Sequence, residues 1–466
     1  MLRVFRHHVS AAAVTGMVAD MALCFLAVLV AGSSLPEPMM RIGEALGPTA
    51  PLLVASQFSL LMALMYSFVG LYRPHPIATG AALRRTGVAM AVGAYLTYLL
   101  LQTFADRKVA GELMIATTVY LVVGVVLLRC GVFLLRRATS VPRVLIVGTG
   151  ADALTVANEL RNLRHIRRDV VGFYPTTSDD ADAAFEQGQP PVFARGTPIS
   201  ELVARHQVRE IIVAVREQRG GGVPIDELLT CRTQGVPILD LAGFYERTKS
   251  EVPIDSLKAS WLVYGHGFVQ GPARRFAKRT FDILSSGLLL TLASPIMLFA
   301  AIAVRLDSPG PVIYRQERVG LGGRRFMCLK FRSMRTDAER DGVARWASKN
   351  DPRVTRVGLF MRKTRIDELP QLFSVLRGEM SMVGPRPERP SFVDDLRKAI
   401  PFYEIRHSVK PGITGWAQVR YAYGASVEDA RRKHQFDLYY VKNNSLFLDL
   451  LVLIETVSVV LFREGQ

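Results

Sequence analysis

Lys363–Pro387 reads KTRIDELPQLFSVLRGEMSMVGPRP, and the other segments of the chain take their meaning from it. Arg362, Lys363 and Arg365 lead into two adjacent carboxylates, Asp367 and Glu368. Pro370 and the apolar residues Leu372, Phe373, Val375 and Leu376 follow, and the stretch closes on Gly384-Pro385-Arg386-Pro387. Proline is tolerated in the first turn of a helix but not in its interior. The spacing therefore predicts Asp367 at or just before a helix N-terminus, with Glu368 in the first turn. An acidic N-cap would explain such a pair by itself. The neighbouring cations argue for more, because a helix N-terminus also collects anions. Successive helical residues point about 100° apart, so one carboxylate can face a substrate while its neighbour holds a metal ion. That arrangement suits phosphate chemistry with an Asp nucleophile.

At 466 residues the chain has room for two or three domains. Hydrophobic residues make up 49% and the mean hydropathy is +0.21, high for a soluble protein. The formal net charge of +17 points to a polyanionic partner, either an acidic membrane surface or phosphorylated substrates. Nucleic acid is set aside as a partner, because long apolar segments put the chain in a membrane. Cys24, Cys130, Cys231 and Cys328 are scattered without a CxxC pair, so no disulfide framework or zinc site is read.

Four segments in the first third are each near the roughly 20 residues that cross a bilayer. They are Val9–Ala31, Pro51–Tyr72, Val88–Phe104 and Leu113–Leu128. Arg3 and Arg6 precede the first, Arg73, Arg84 and Arg85 separate the second from the third, and Arg136, Arg137 and Arg143 follow the fourth. The positive-inside rule then puts both ends of this bundle in the cytoplasm. Asp20, inside the first span, is a functional candidate or a helix-packing contact.

The middle of the chain reads as a doubly wound parallel sheet. A buried strand at Val144–Val147 runs into Gly148-Thr-Gly150-Ala-Asp-Ala153 and a helix through Leu163. This is a GxGxxA turn in strand–turn–helix context. Further strands are expected at Val170–Tyr174, Glu210–Val215 and Val236–Asp240. The second strand ends in Pro175 with no acid to hold a ribose hydroxyl, so no cofactor-binding residues are assigned. Tyr245 and Lys249 form a YxxxK pair placed too near the glycine turn to serve a dehydrogenase.

Phe281–Val304 is long enough to span, with Lys278 and Arg279 before it and Arg305 after it. If it crossed, the many Lys and Arg residues beyond it would lie outside, against the loop-charge bias. Ser294-Pro295 sits near its middle, where proline kinks or breaks a helix. A re-entrant helix, bending at Ser294 and Pro295 and returning to the same side, fits both facts.

Beyond that helix the chain carries Tyr314-Arg-Gln-Glu-Arg-Val-Gly320, Lys330-Phe-Arg-Ser-Met334, the Asp367-Glu368 stretch, Val383-Gly-Pro-Arg-Pro387 and Lys410-Pro-Gly-Ile-Thr-Gly-Trp-Ala-Gln418. Together these motifs resemble the bacterial polyprenyl-phosphate sugar-1-phosphate transferases, the monotopic phosphoglycosyl transferases. The resemblance runs from Phe276 to the C-terminus. The preceding bundle and sheet are similar to those of the large family members. Asp341–Asn350 and Tyr423-Gly-Ala-Ser426 look like the exopolysaccharide branch associated with exosortase systems. The implied fold is a membrane α/β protein. It has a four-span bundle over residues 1–140, a Rossmann-like domain over 141–248, a linker over 249–275 and a mainly α catalytic domain over 276–466, with the re-entrant helix at 281–304.

The resemblance implies a reaction in which a UDP-sugar gives its sugar-1-phosphate to undecaprenyl phosphate. Asp367 matches the family's nucleophile, and Glu368 its partner. The two would hold Mg²⁺. Lys330, Arg332, Arg365 and Arg386 are the candidate phosphate-binding cations, because like charge repels a carboxylate from a diphosphate unless cations intervene. Glu379 stands where many members carry Asp. Gly384 and Gly412 are expected at turns, and Trp416 at the interface or in the core. His407 and His434 are candidate bases or surface residues. Expected partners are the two substrates and membrane lipids, and a homodimer is left open. The expected location is the bacterial inner membrane, with the catalytic domain on the cytoplasmic face. Two rivals remain at this stage: a membrane-bound NAD-dependent nucleotide-sugar epimerase or dehydratase, and a non-catalytic scaffold of an export assembly.

Overall fold

A computed structural model describes residues 2–4, 7–9, 11–72, 79–138, 141–162, 168–176, 189–215, 223–254, 267, 270–338, 351–421, 424 and 426–462. Most of the motif expected for the exosortase branch, 341–350 with 423 and 425, lies outside these residues, as does much of the expected linker. Two three-residue strands open the chain, β1 (Leu2–Val4) and β2 (His7–Val9). The chain divides into two compact units, one formed mainly by Val9–Phe244 and the other by Arg3–His8 with Tyr245–Gln466.

The first unit begins with five helices: α1 (Ala11–Ser34), α2 (Pro36–Leu46), α3 (Ala50–Phe68), α4 (Thr79–Leu101) and α5 (Arg107–Ala138). Helix α1 packs on α3 and α5, and α4 packs on both of those. The outer faces are apolar, with Leu26, Leu60, Ile115 and Leu127 all exposed, as lipid-facing helices require. Among the described residues, four helices are long and apolar enough to cross a membrane: Ala13–Ser34, Ala50–Phe68, Arg107–Leu135 and Pro272–Asp307. Three match expected spans. The expected span at Val88–Phe104 lies mostly in α4, which begins nine residues earlier and takes Arg84 and Arg85 inside it, so its apolar run is diluted. Asp20 meets Arg129 at 3.0 Å and accepts the Tyr72 hydroxyl at 3.1 Å, which makes it a helix-packing contact.

The same unit holds a four-stranded, all-parallel sheet in the order β4 (Asp169–Tyr174), β3 (Arg143–Val147), β5 (Val208–Val213), β6 (Ile238–Asp240). Both faces are covered, so Val144–Val147 are all fully buried and the strands read as continuous apolar runs. Gly148 follows β3 at φ +121°, a region costly for residues with a Cβ, and an added Cβ would press on the Ala214 carbonyl. Strand geometry alone therefore accounts for the first glycine of the turn.

In the second unit, the Pro272–Asp307 helix is continuous through Pro295. Pro295 has no N–H to offer the Thr291 carbonyl four residues back. The Ser294 hydroxyl donates to that carbonyl instead, at 2.8 Å. Both ends of the helix are bonded into this unit. Arg279 donates to the Val375 and Leu376 carbonyls at 2.6 and 2.7 Å, and Lys278 meets Asp449 at 3.0 Å. At the other end Ala300 and Val304 pack on Phe331 and Met361. An antiparallel hairpin, β7 (Ile313–Val319) and β8 (Arg325–Phe331), carries Lys330. A short parallel pair, β9 (Ser381–Val383) and β10 (Gly412–Thr414), completes the strands. Gly384 and Gly412 serve close backbone approach at this pair, where a Cβ on either would collide with the other segment. The main core gathers Leu372, Val375, Val383, Trp416, Tyr439 and Leu448. Trp416 is 1% exposed, donates to the Ser250 carbonyl at 2.8 Å and stacks on Tyr439, so it belongs to the core.

Candidate active site

The carboxylate pair is set by local chain chemistry. Thr355 caps the Arg356–Thr364 helix by accepting the Gly358 N–H at 3.0 Å. Arg365 ends that helix in the left-handed region at φ +60°, a conformation that a residue with a side chain adopts at a cost. The chain then makes a 3₁₀ turn, Ile366–Glu368, before the Gln371–Arg377 helix. The dyad thus precedes the helix, as expected for Asp367. Glu368 also stays in the 3₁₀ turn and does not enter the helix's first turn.

Both carboxylates are buried. Three cations converge on one oxygen of Glu368: Arg386 at 2.7 Å, Lys330 at 2.9 Å and Arg365 at 3.8 Å. Burial alone would raise the Glu368 pKa, but this positive ring holds it well below the usual carboxylate range. Asp367 moves the other way. Burial and the Glu368 charge push it up to about 6, against the pull of Lys330, Arg365 and Arg386. Its Oδ1 is buried without a hydrogen-bond partner. Two adjacent acids thus differ in role: one neutralised by cations, the other poised to ionise near neutral pH. Asp367 borders a cavity of about 550 Å³, which it lines together with Lys330, Arg365, Arg386, Arg318 and Lys433.

Arg332 differs from the expectation. It borders the cavity, but its guanidinium donates to the Ser308 carbonyl at 2.6 Å, to Pro309 at 2.9 Å and to Val304 at 3.3 Å. These carbonyls at and just beyond the C-terminal end of the Pro272–Asp307 helix draw it away from the dyad. His407 and His434 are both buried, and burial with the nearby Arg406 charge lowers them to about 4 and about 3. They are neutral core residues rather than surface groups. Sequence reasoning missed Arg318, Arg406 and Lys433. Lys433 and Asp437 lie one turn apart on the Val427–Asn443 helix, whose register a Ser426–Asp429 capping box fixes. That S-x-x-D pattern before a helix was the available signal.

Among the described residues no group of three or more His, Cys, Asp or Glu side chains forms a metal cage. Mg²⁺ does not need one, since it is held by one or two carboxylates, water and substrate phosphates. The partnerless Asp367 oxygen beside Glu368 fits that donor set.

Residues 273–463 match the family model described as bacterial sugar transferase. The chain is 35% identical to the UDP-glucose:undecaprenyl-phosphate glucose-1-phosphate transferase of Xanthomonas campestris pv. campestris, over 70% of this chain and 68% of that protein. The chain belongs to the bacterial sugar transferase family. A second sugar transferase, the UDP-N-acetylgalactosamine-undecaprenyl-phosphate N-acetylgalactosaminephosphotransferase of Aeromonas hydrophila, is 45% identical over 51% of this chain. The match spans 55% of that relative's length. A third, the UDP-glucose:undecaprenyl-phosphate glucose-1-phosphate transferase of Escherichia coli (strain K12), is 46% identical over 39% of this chain and 40% of its own. The family is the one that the motifs between Tyr314 and Gln418 resemble.

Proposed function

We propose that the chain is an undecaprenyl-phosphate hexose-1-phosphate transferase that takes its sugar-1-phosphate from a UDP-sugar and begins exopolysaccharide synthesis. The observation that carries this is the buried dyad: a partnerless, ionisable Asp367 oxygen beside a Glu368 that gathers Lys330, Arg365 and Arg386. The relatives' names supply the substrate class.

In the first step an Asp367 oxygen attacks the phosphorus that carries the sugar. The bond from that phosphorus to the UMP oxygen breaks, and UMP leaves with the electron pair. A phosphate oxygen of undecaprenyl phosphate then attacks the same phosphorus, and Asp367 departs as carboxylate. Both nucleophiles are anions, so neither step needs a general base, and the remaining barrier is charge repulsion. Lys330, Arg365 and Arg386 lower that repulsion. Asp367 and Glu368 would hold Mg²⁺, which when bound neutralises diphosphate charge. Arg332 anchors the membrane helix to the Lys330 strand.

The dyad must face both a soluble donor and a lipid acceptor. We assign the Pro272–Asp307 helix a re-entrant course with its bend at Ser294-Pro295, on the cytoplasmic face of the inner membrane. At 1.5 Å per residue its 36 residues reach about 54 Å, against roughly 30 Å of bilayer core. Bonding of both its ends into one compact unit supports the return. The domain boundaries read from the sequence stand as proposals too, with a membrane bundle, a Rossmann-like domain and the transferase domain in series.

A panel of UDP-glucose, UDP-galactose and UDP-N-acetylgalactosamine with undecaprenyl phosphate and Mg²⁺ tests the reaction. UMP release that depends on the acceptor is expected from one donor. No UMP from any UDP-sugar with folded protein would overturn it.

A further inference from the structure

The Gly384–Glu388 segment delivers Arg386 to the dyad, and it contains two prolines. Pro385 and Pro387 have no N–H to donate, so the segment must be fixed largely through its carbonyls. Four consecutive carbonyls are each taken. Gly412 N–H donates to Pro385 at 3.0 Å, Arg406 to Arg386 at 2.8 Å, Arg318 to Pro387 at 3.1 Å and Val319 N–H to Glu388 at 3.0 Å.

Two of these four donors are arginine side chains, and Arg406 is the better built of them. It is 6% exposed. Its Nε and Nη2 meet the Asp437 carboxylate at 3.1 and 2.8 Å, and its Nη1 donates to the Tyr403 hydroxyl at 2.6 Å. The guanidinium plane lies 5.0 Å from the Tyr403 ring centroid. All three guanidinium nitrogens are engaged with protein, and the fork geometry that does this belongs to Arg and not to Lys. A buried, paired arginine is usually a poor source of stability, since desolvation offsets the attraction. Its position suggests a different use.

We propose that Arg406 is a positioning residue that acts through the Arg386 backbone, with Asp437 and Tyr403 fixing its orientation. It holds the proline-flanked segment at the distance that lets Arg386 reach Glu368. Arg406 borders the same cavity, but its guanidinium nitrogens are all engaged by protein, so it acts through the Arg386 backbone. The inference rests on the transferase reading of the dyad, and predicts a loss in kcat with donor KM little changed.

The test is a double-mutant cycle between Arg406→Lys and Arg386→Ala in the full-length chain, read as UMP release alongside thermal melting. Arg406→Lys keeps the charge but cannot bridge Asp437, Tyr403 and the Arg386 carbonyl together. We expect kcat to fall at least tenfold in Arg406→Lys and the same change to cost less than twofold when Arg386 is already Ala. Effects that multiply fully, or wild-type kcat in Arg406→Lys, would overturn the proposal. If Arg406→Lys fails to fold, the paired Arg406→Met/Asp437→Leu variant removes both buried charges while filling the space. Folded protein of that kind with normal kcat also overturns it, and folded protein with tenfold lower kcat supports it. An inactive natural sequence would instead strike at the transferase reading.

Discussion

Arg386 and Glu368 meet at 2.7 Å, so the cation that the sequence directs toward a phosphate rests against the neighbouring carboxylate. Lys330 lies on the same Glu368 oxygen at 2.9 Å. Glu368 thus assembles the positive ring that we propose receives the donor diphosphate. Glu368→Gln keeps the shape and removes the charge that gathers the ring. We expect kcat to drop 100-fold or more while donor KM holds or falls, because the cations then turn to the diphosphate. Steady-state UMP release measures both. A rise in KM with unchanged kcat would contradict this role.

In the proposed mechanism Asp367 attacks as the carboxylate. Burial and the Glu368 charge push it up to about 6. Its acid form therefore accumulates as pH falls through about 6, and kcat/KM should fall tenfold per unit below that. Lys330→Met removes one of the charges that lower the Asp367 pKa. The acid limb should then move to higher pH, and a shift to lower pH would contradict the electrostatics.

Arg332 ties the end of the membrane helix to β8 through three carbonyls. Arg332→Lys should lower stability by about 2 kcal/mol while leaving donor KM within twofold. Thermal melting and donor titration separate the two. A tenfold rise in KM at unchanged melting temperature would return Arg332 to phosphate binding.

His434 is held down to about 3 by burial and by Arg406. Between about 6.5 and 3 the unfolded chain takes up a proton that the folded chain refuses. Its share of stability is therefore complete above pH 6.5 and is lost as pH falls toward 3. His434→Gln removes this dependence, which amounts to about 2 kcal/mol between pH 6.5 and pH 5. The pH dependence of urea midpoints for both proteins reads it. An unchanged acid sensitivity would mean that His434 is protonated in the fold.

The helix course is open to cysteine labelling in intact cells, in a background without native Cys, at one site before Phe281 and one after Arg305. Both sites should react with an impermeant reagent only after lysis. Labelling of the second site from outside would make the helix a crossing one and put the dyad on the wrong side for a cytoplasmic donor.

Much of this was legible in local pattern. The strands at 143–147, 169–174 and 208–213 are apolar runs bounded by turns, and Asp367-Glu368 stands among cations before Pro370. Other features depend on what lies across the fold. Lys330 and Arg332 are two apart, a spacing that puts side chains on one face of a strand, yet the carbonyls at Val304, Ser308 and Pro309 capture Arg332. His407 and His434 read as candidate bases or surface residues, because nothing local tells that they are buried. Arg406 resembles any other surface arginine until Asp437, 31 residues later, is found beside it.

The covalent role of Asp367 is the central claim, and peptide mass spectrometry tests it most directly. Purified protein is incubated with its UDP-sugar and Mg²⁺ without undecaprenyl phosphate, and then digested. The account predicts a mass increase of one sugar phosphate on the peptide carrying Asp367, discharged by added undecaprenyl phosphate and absent in Asp367→Asn. Normal turnover by Asp367→Asn, or the same adduct formed in that variant, would contradict it.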